Sequence, residues 1–434
     1  MTDELAQLRE RLATRVVADT RIGSERVAAA LHAVPRHLFL PEQRPEVAYQ
    51  NDAIVTKRDE TGQPISSSSQ PTIMAIMLDQ LDLAPGQRVL EIGAGTGYNA
   101  ALISHVVGPS GEVTSVDIDP DLVGRAREHL VAAGFRDVTV VCADGAGGYP
   151  ERAPYDRVIA TVGVSDLAPA WLEQAVPQAR IVVPLDVRGT QLSVAFEPAD
   201  PAHPSGPWTS RSLAPCGFMR MRGSLAGPER VVALAPGLSL LLPDGTLPGD
   251  RDLDGADIGG PAIDGTALAA LLAGPSVRHP TGVRVTAPGS AEVFWGLGLW
   301  LAAREPRSCR LGEERPSGRS DAPGGWLTGA PLGGPGWHTT LGLLDAGGLA
   351  ILTSPAEPDR SGLATFDAVG FGPGAARLAA DLGAHVQAWA EAGQPGIEGL
   401  HVDAYPRSSP HDPRPVADAL IMERPGMRFA VYHD

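Results

Sequence analysis

Lysine is almost absent from this chain: Lys57 is the single one, and arginine supplies every other positive side chain. With 51 glycines and 40 prolines in 434 residues, that bias points to a GC-rich coding sequence rather than to a mechanism. Positive charge is also outweighed overall, with a formal net charge of −16. Phosphate backbones are bound by clustered Lys and Arg, so no nucleic-acid partner is expected. Cysteine is limited to Cys142, Cys216 and Cys309, an odd, scattered set that suits neither a disulfide framework nor a zinc cluster. His279, His338 and His401 are equally scattered, and no metal is expected. No apolar run approaches the ~18 residues of a spanning helix, and the first residues lack the apolar core of a secretion signal. A cytoplasmic protein without a membrane partner is the expectation, its oligomeric state open.

What is present is concentrated in Val89 to Ala101, VLEIGAGTGYNAA. A short apolar run, one acid and a G-x-G-x-G loop describe a buried strand that turns sharply into a helix. Glycine lacks the Cβ that would keep a ligand from the backbone there. The spacing is not the G-x-G-x-x-G of dinucleotide sites. Glu91, ahead of the first glycine, favours a cationic or hydroxyl-rich ligand over a pyrophosphate, and S-adenosylmethionine fits that description.

Periodicity predicts two N-terminal helices between Thr2 and Val34, the second capped by Ser24 and Glu25. A further helix runs from Pro71 to Leu83. Strands at Arg88–Ile92, Glu112–Asp117, Val138–Cys142 and Tyr155–Thr161 then alternate with helices at Asn99–Val107, Asp121–Ala133 and Ala168–Ala175. Ala179–Val187 and Thr190–Glu197 flank Arg188-Gly189 as a hairpin. The alternation predicts a Rossmann-like α/β unit with a doubly wound, mostly parallel sheet, its ligand at the carboxyl ends of the strands. Residues 1–224 are assigned to that unit and 225–434 to a C-terminal α+β domain. Within the latter, Ser308 to Pro335 reads as a loop. Trp295, Trp300, Trp326 and Trp337 are either peptide-contacting aromatics or core.

Acids at the next strand ends complete the cofactor constellation. Asp117, with Ile118 after it, is placed to accept both ribose hydroxyls. Asp144-Gly145 is placed to reach the adenine amino group, and Thr161 to Gly163 ends a strand at the centre of the cleft. Gly93, Ala94, Gly95 and Gly97 form the loop itself.

VLEIGAGTGYNAA, the upstream FLPEQRPEVAYQND, the segment ISSSSQPTIMAIML and the downstream YDRVIATVGV together resemble the protein L-isoaspartate O-methyltransferase family over roughly residues 20–222. The resemblance implies a class I methyltransferase fold, S-adenosylmethionine as methyl donor with S-adenosylhomocysteine as product, and a peptide carboxylate as acceptor. The segment between Asp52 and Pro71 is longer than the family pattern and contains Ser66, Ser67, Ser68 and Ser69 in a row. Aligned backwards from Gln70-Pro71, the family's active-site serine falls on Ser69; aligned forwards from Gly62-Gln63-Pro64-Ile65, it falls on Ser66. Ser68 stays a catalytic candidate beside them. Ser67, Gln70, Val162 and Gly163 are candidates for touching the substrate.

An aspartyl carboxylate is ionised at neutral pH, which removes the need for a general base. Ser69 and the backbone N–H groups opening the Pro71 helix are expected to hold it in line with the methyl group. The esterified side chain then closes on the following backbone amide as a succinimide. The long serine segment and the C-terminal region further resemble extended actinobacterial members that tailor ribosomal peptides, such as lanthipeptides and graspetides. That resemblance favours methylation of an Asp in a cyclised precursor peptide, giving an aspartimide or isoaspartate. Repair of isoaspartyl residues, and a non-catalytic S-adenosylmethionine-binding regulator, are the alternatives.

Overall fold

The computed structural model describes residues 2–60, 62, 64–203, 205–227, 231–242, 264–286, 291–314, 337–353, 363–409, 416 and 419–433. Helices α1 (Thr2–Thr20) and α2 (Glu25–Ala33) open the chain, and the Ser24 hydroxyl accepts the Val27 N–H at 3.3 Å, as an N-cap should. After a 3-10 turn at Arg36–Phe39 and the single-turn α3 (Pro45–Ala48), strands β1 (Ile54–Arg58) and β2 (Pro64–Ser68) form a small antiparallel sheet of their own. Helix α4 (Pro71–Leu81) follows. Its Met77 and Leu81 share a core with Leu12, Val16, Val27 and Leu31 of the first two helices.

The alternating segment then builds the main sheet. In chain order come β3 (Arg88–Ile92), α5 (Tyr98–Val107), β4 (Glu112–Asp117), α6 (Pro120–Ala132), β5 (Thr139–Cys142), β6 (Tyr155–Ala160), α7 (Pro169–Glu173), β7 (Ala175–Val187), β8 (Thr190–Pro198) and β9 (Trp208–Pro215). Strands β3 to β7 pair in parallel. Strands β7 and β8 form the expected hairpin, with Arg188 and Gly189 both at positive φ (47° and 86°), the geometry whose twist matches a two-residue turn.

The chain continues through β10 (Val231–Ala235), β11 (Leu238–Leu241), α8 (Gly265–Leu272), β12 (Ser276–Thr286), α9 (Ala291–Arg304), β13 (Ser308–Glu314), β14 (Trp337–Asp345), β15 (Gly348–Thr353), β16 (Leu363–Phe371) and α10 (Ala375–Glu391). The strands among these make a seven-stranded antiparallel sheet in the order β10-β11-β13-β14-β15-β16-β12. The expected loop from Ser308 therefore begins as strand β13, because alternate residues Cys309 and Leu311 are buried although the segment is poor in large apolar groups. The rest of that span, with Trp326, lies outside the described residues, as do the side chains of Trp337 and His338. Trp295 is buried in the core, its indole N–H donating to the Gln191 carbonyl at 3.1 Å, and Trp300 packs against the same core.

The final strands, β17 (Leu400–Pro406), β18 (Leu420–Glu423) and β19 (Met427–His433), do not belong to the seven-stranded sheet. They extend the first one, whose full order is β18-β19-β17-β9-β8-β7-β6-β3-β4-β5. Asp403 and Ala404 pair with Thr209 and Trp208, and the Thr209 hydroxyl donates to Asp403 at 2.7 Å. A division of the chain at 224/225 differs from this arrangement, since the edge of β9 is closed by residues nearly two hundred positions later. One apolar core runs across both sheets, from Val183 and Leu192 to Leu341 and Leu382.

Candidate active site

The sheet order reverses between β3 and β6: β4 and β5 lie on one side of β3, and β6 and β7 on the other. A cleft opens there, beyond the carboxyl ends of the strands, where an open α/β sheet holds its ligand. Its lining includes Ile65, the four serines Ser66 to Ser69, the loop residues Gly93, Ala94 and Gly95, then Asp117, Ile118, Gly145, Thr161 and Val162. The serine segment and the glycine loop are thus brought face to face across one cleft.

The loop conformation demands its glycines. Gly93, Gly95 and Gly97 have φ of 103°, 52° and 85°. A Cβ on Gly93 would lie 2.7 Å from the Thr161 hydroxyl, which donates to the Gly93 carbonyl, also at 2.7 Å. A Cβ on Gly95 would point across the cleft toward the Ser67 carbonyl, 3.7 Å away. Asp117 is buried; one of its oxygens accepts the Gly95 N–H at 3.0 Å and the other the Asp119 N–H at 3.1 Å.

Five sequence candidates sit behind the cleft instead of in its lining. Glu91 is wholly buried under the loop, where it accepts hydrogen bonds from Asn99 (2.8 Å) and Ser115. Burial pushes its carboxyl up to about 7, against the pull of those two donors. It braces β3, β4 and α5 rather than facing a ligand. Gly97 gives α6 room to approach, since a Cβ would meet the Ala126 carbonyl and Leu130 at 3.2 Å. Asp144 spends its oxygens on the N–H groups of Ala146 (3.0 Å) and Ser224 (2.8 Å), which hold its carboxyl below the usual range against partial burial. Gln70 donates to the Asn51 carbonyl at 2.9 Å. Gly163 bridges to Arg220 strand-fashion, exchanging backbone bonds with Met219 and Met221.

The start of α4 is also occupied. Pro71 has no N–H, and the Thr72 N–H donates to the Asn51 side chain at 3.1 Å. These first two positions therefore offer no donor for a substrate carboxylate, contrary to the expectation for that helix.

Two groups of residues escaped the sequence reading. Arg36 is fully buried and donates to the carbonyls of Gln50 (2.9 Å), Asp52 (3.2 Å) and Ser69 (3.0 Å) and to the Ser68 hydroxyl (3.4 Å). Burial lowers its guanidinium to about 10. The second group is Phe218 to Arg222, which covers the cleft opposite the glycine loop; Arg222 lies 3.5 Å from Asp119 and 4.0 Å from Asp117. Alternation of Met and Arg in FMRMR was the available signal, a strand-like pattern with one basic face. The hairpin that carries the serines is tied down by Lys57, whose ammonium reaches Asp119 at 2.7 Å and Asp121 at 2.9 Å.

Residues 7–203 match the family model described as protein-L-isoaspartate(D-aspartate) O-methyltransferase. A protein-L-isoaspartate O-methyltransferase of Hyperthermus butylicus is 38% identical over 232 residues, spanning 51% of this chain and 92% of that protein. The chain belongs to the protein-L-isoaspartate O-methyltransferase family. A relative of the same name from Methanopyrus kandleri is 42% identical over 184 residues, covering 42% of this chain and 79% of its own length. A solved structure titled protein-L-isoaspartate O-methyltransferase is 21% identical, with a TM-score of 0.47, and covers 91% of this chain and 96% of its own.

Family membership makes this chain an S-adenosylmethionine-dependent protein carboxyl O-methyltransferase with the class I fold. The cleft fits that donor. Backbone approach is open at Gly95, where nothing lies nearer the Cβ position than the Ser67 carbonyl at 3.7 Å, and each Asp117 oxygen holds one N–H and keeps acceptor capacity for a ribose hydroxyl. Ile118, beside it, is 37% exposed, an apolar surface available to a flat base. Among the described residues no helix is long and apolar enough to cross a membrane, and no group of His, Cys, Asp or Glu is arranged to hold a metal.

Proposed function

We propose that this methyltransferase esterifies the free α-carboxylate of an isoaspartyl residue in an aged peptide or protein, the side-chain carboxyl of that residue being the one that carries the peptide bond. The observation that carries the reading is the serine segment lying opposite the glycine loop in one cleft. The named relatives support the isoaspartyl acceptor.

S-adenosylmethionine supplies the methyl group as an electrophile on its sulfonium. Gly93, Ala94, Gly95, Asp117, Ile118, Gly145 and Thr161 are the residues proposed to hold it. The acceptor carboxylate is already ionised at neutral pH, so the protein's work is to orient it and exclude water. Ser66 is bonded to the Thr56 hydroxyl at 3.1 Å and Ser68 to Arg36, and both are buried. Ser67 and Ser69 are half-buried, and among the described residues their hydroxyls have no protein partner. This favours Ser69, with Ser67 beside it, as the donor that steadies the carboxylate, and Val162 as an apolar contact. Met74, Phe218, Met219 and Met221 dry the site, and Arg220 and Arg222 make its rim attractive to an anion in an otherwise acidic protein. The ester then closes without further help: the next backbone nitrogen attacks the ester carbonyl, the bond to methoxide breaks, and methanol leaves with the amide proton.

A second reading is methylation of a true Asp in a cyclised precursor peptide, with succinimide as the product. The longer serine segment and the two hundred-odd residues beyond the family match favour it. Purified protein with methyl-labelled S-adenosylmethionine separates the two. Efficient labelling of a linear isoaspartyl peptide, with its Asp counterpart inert, supports the first; labelling of a cyclised Asp peptide alone supports the second. Ser69→Ala is expected to cut turnover at unchanged S-adenosylhomocysteine affinity, and an unchanged rate would remove Ser69 from the mechanism.

A further inference from the structure

A second recess adjoins the cofactor cleft, and Phe218 and Arg220 line both. It lies between the β7–β8 turn on one side and β11, α9, β13 and β14 on the other, a depression of about 860 Å³ that is partly open to solvent. Gln191 fixes the partition: its amide donates to the Phe218 carbonyl at 3.1 Å and accepts the Phe218 N–H at 2.7 Å. The two spaces are therefore neighbours, separated by Phe218 and sharing Arg220.

Its charge runs against that of the molecule. Arg188, Arg220 and Arg310 line it with Asp186 as the acid, in a chain of net charge −16. Arg310 is set deep in the protein but keeps accessible surface. Among the described residues it is hydrogen-bonded to the neutral Thr190 hydroxyl and stacks over Phe294, 5.1 Å from the ring centre. Asp186 acts on it through space, while burial lowers its guanidinium to about 10. A deep-set cation resting on a hydroxyl and a ring is costly to keep, and a carboxylate arriving with a substrate would satisfy its planar fork.

We propose that this recess receives a second carboxylate of the acceptor peptide, distinct from the one that is methylated, and that Arg310 binds it. The inference rests on the peptide-carboxylate reading above. It gives the region after residue 225 a part in choosing which aspartyl-derived residue is methylated. The carboxylate has two sources, an acidic side chain near the modified residue or the peptide's own C-terminus.

The test uses the full-length protein and linear isoaspartyl peptides carrying Glu or Gln at each flanking position, each made with a C-terminal acid or amide. One acid is expected to raise kcat/KM roughly tenfold or more, through KM, as a charge-assisted contact would. Which arm responds identifies the source. Arg310→Gln is expected to erase that preference while leaving rates on the uncharged peptide within about threefold and S-adenosylhomocysteine affinity unchanged. Should the variant fail to fold, the peptide series on the unaltered protein decides alone. Acid and amide peptides differing less than threefold everywhere, or a preference that survives Arg310→Gln, overturns the recess assignment. If the protein binds S-adenosylhomocysteine but labels none of the peptides, the peptide-carboxylate reading itself falls, and the recess assignment with it.

Discussion

Arg36→Met tests whether the serine segment owes its position to one buried cation. Arg36 spans four acceptors, at Gln50, Asp52, Ser68 and Ser69, and has no exposed surface. Taking each charged hydrogen bond at the low end, roughly 1.5 kcal/mol, the four contribute about 6 kcal/mol. Against this stands the burial of the charge: the fall of the guanidinium to about 10 corresponds to about 3 kcal/mol. The balance, about 3 kcal/mol, is of the size expected when buried carbonyls lose the donor that satisfied them. Arg36→Met should therefore lower the unfolding free energy in guanidinium titrations by about 3 kcal/mol. Because Gln50 and Asp52 flank Asn51, which caps α4, and Ser69 precedes that helix, the damage should centre on the acceptor side of the cleft. Turnover is expected to fall by at least an order of magnitude more than S-adenosylhomocysteine affinity, read by calorimetry. Arg36→Lys keeps the charge but not the fork and should fall between. A variant as stable as the parent to within about 1 kcal/mol, or one with unprotected amides in residues 65–69 yet full activity, would refute the reasoning.

Three further outcomes follow from the same geometry. The Glu91 carboxyl is raised in the fold from its ordinary value near 4.5 to about 7, so its neutral form is the favoured one; its contribution is complete below pH 4.5 and lost as pH rises through about 7. Glu91→Gln should flatten the stability profile between those values, and identical pH slopes for the two proteins would contradict the assignment. Gly93→Ala forces a Cβ to 2.7 Å from the Thr161 hydroxyl at a φ of 103°, so S-adenosylhomocysteine binding should weaken roughly tenfold or more, whereas Gly124→Ala, with nothing near its Cβ position, should bind normally. Lys57→Met removes the tether to Asp119 and Asp121, and faster amide exchange in residues 54–68 with a several-fold higher KM for S-adenosylmethionine is expected; unchanged exchange would show that the tether is idle.

The parallel half of the fold was legible because its signals are local. Apolar runs of strand length, glycines at forced conformations and acids at strand ends occur within a few residues of one another, and β3, β4 and the β7–β8 hairpin fall where periodicity puts them. What was not legible is decided by partners far along the chain. Glu91 lies in a strand buried on both faces, so nothing in VLEI distinguishes a residue facing the ligand from one beneath the loop. Arg36 looks like any other arginine until Ser68 and Ser69 fold onto it. Asp144 ends its strand where an acid can reach a base, yet Ser224, eighty residues on, donates its N–H to it. Strands β17 to β19 read as part of a separate domain because sequence records proximity along the chain and not which sheet edge is vacant.

That return of β17 to β9 has a consequence for synthesis. On the ribosome, residues 88–215 emerge early and can assemble their sheet, but the hydrogen-bonding edge of β9 waits until residues 400–433 arrive. Through that interval it is an open template for pairing with a neighbouring nascent chain. Asp166, buried 2% exposed at the catalytic end of the sheet, takes the Gly426 N–H at 2.6 Å, and Arg424 reaches the Ser165 carbonyl at 3.0 Å. Residues 424–426 thus lock a loop beside the cleft. A truncated product, whether from a stop codon or a protease, would leave that loop undocked and the sheet edge uncovered at the same time.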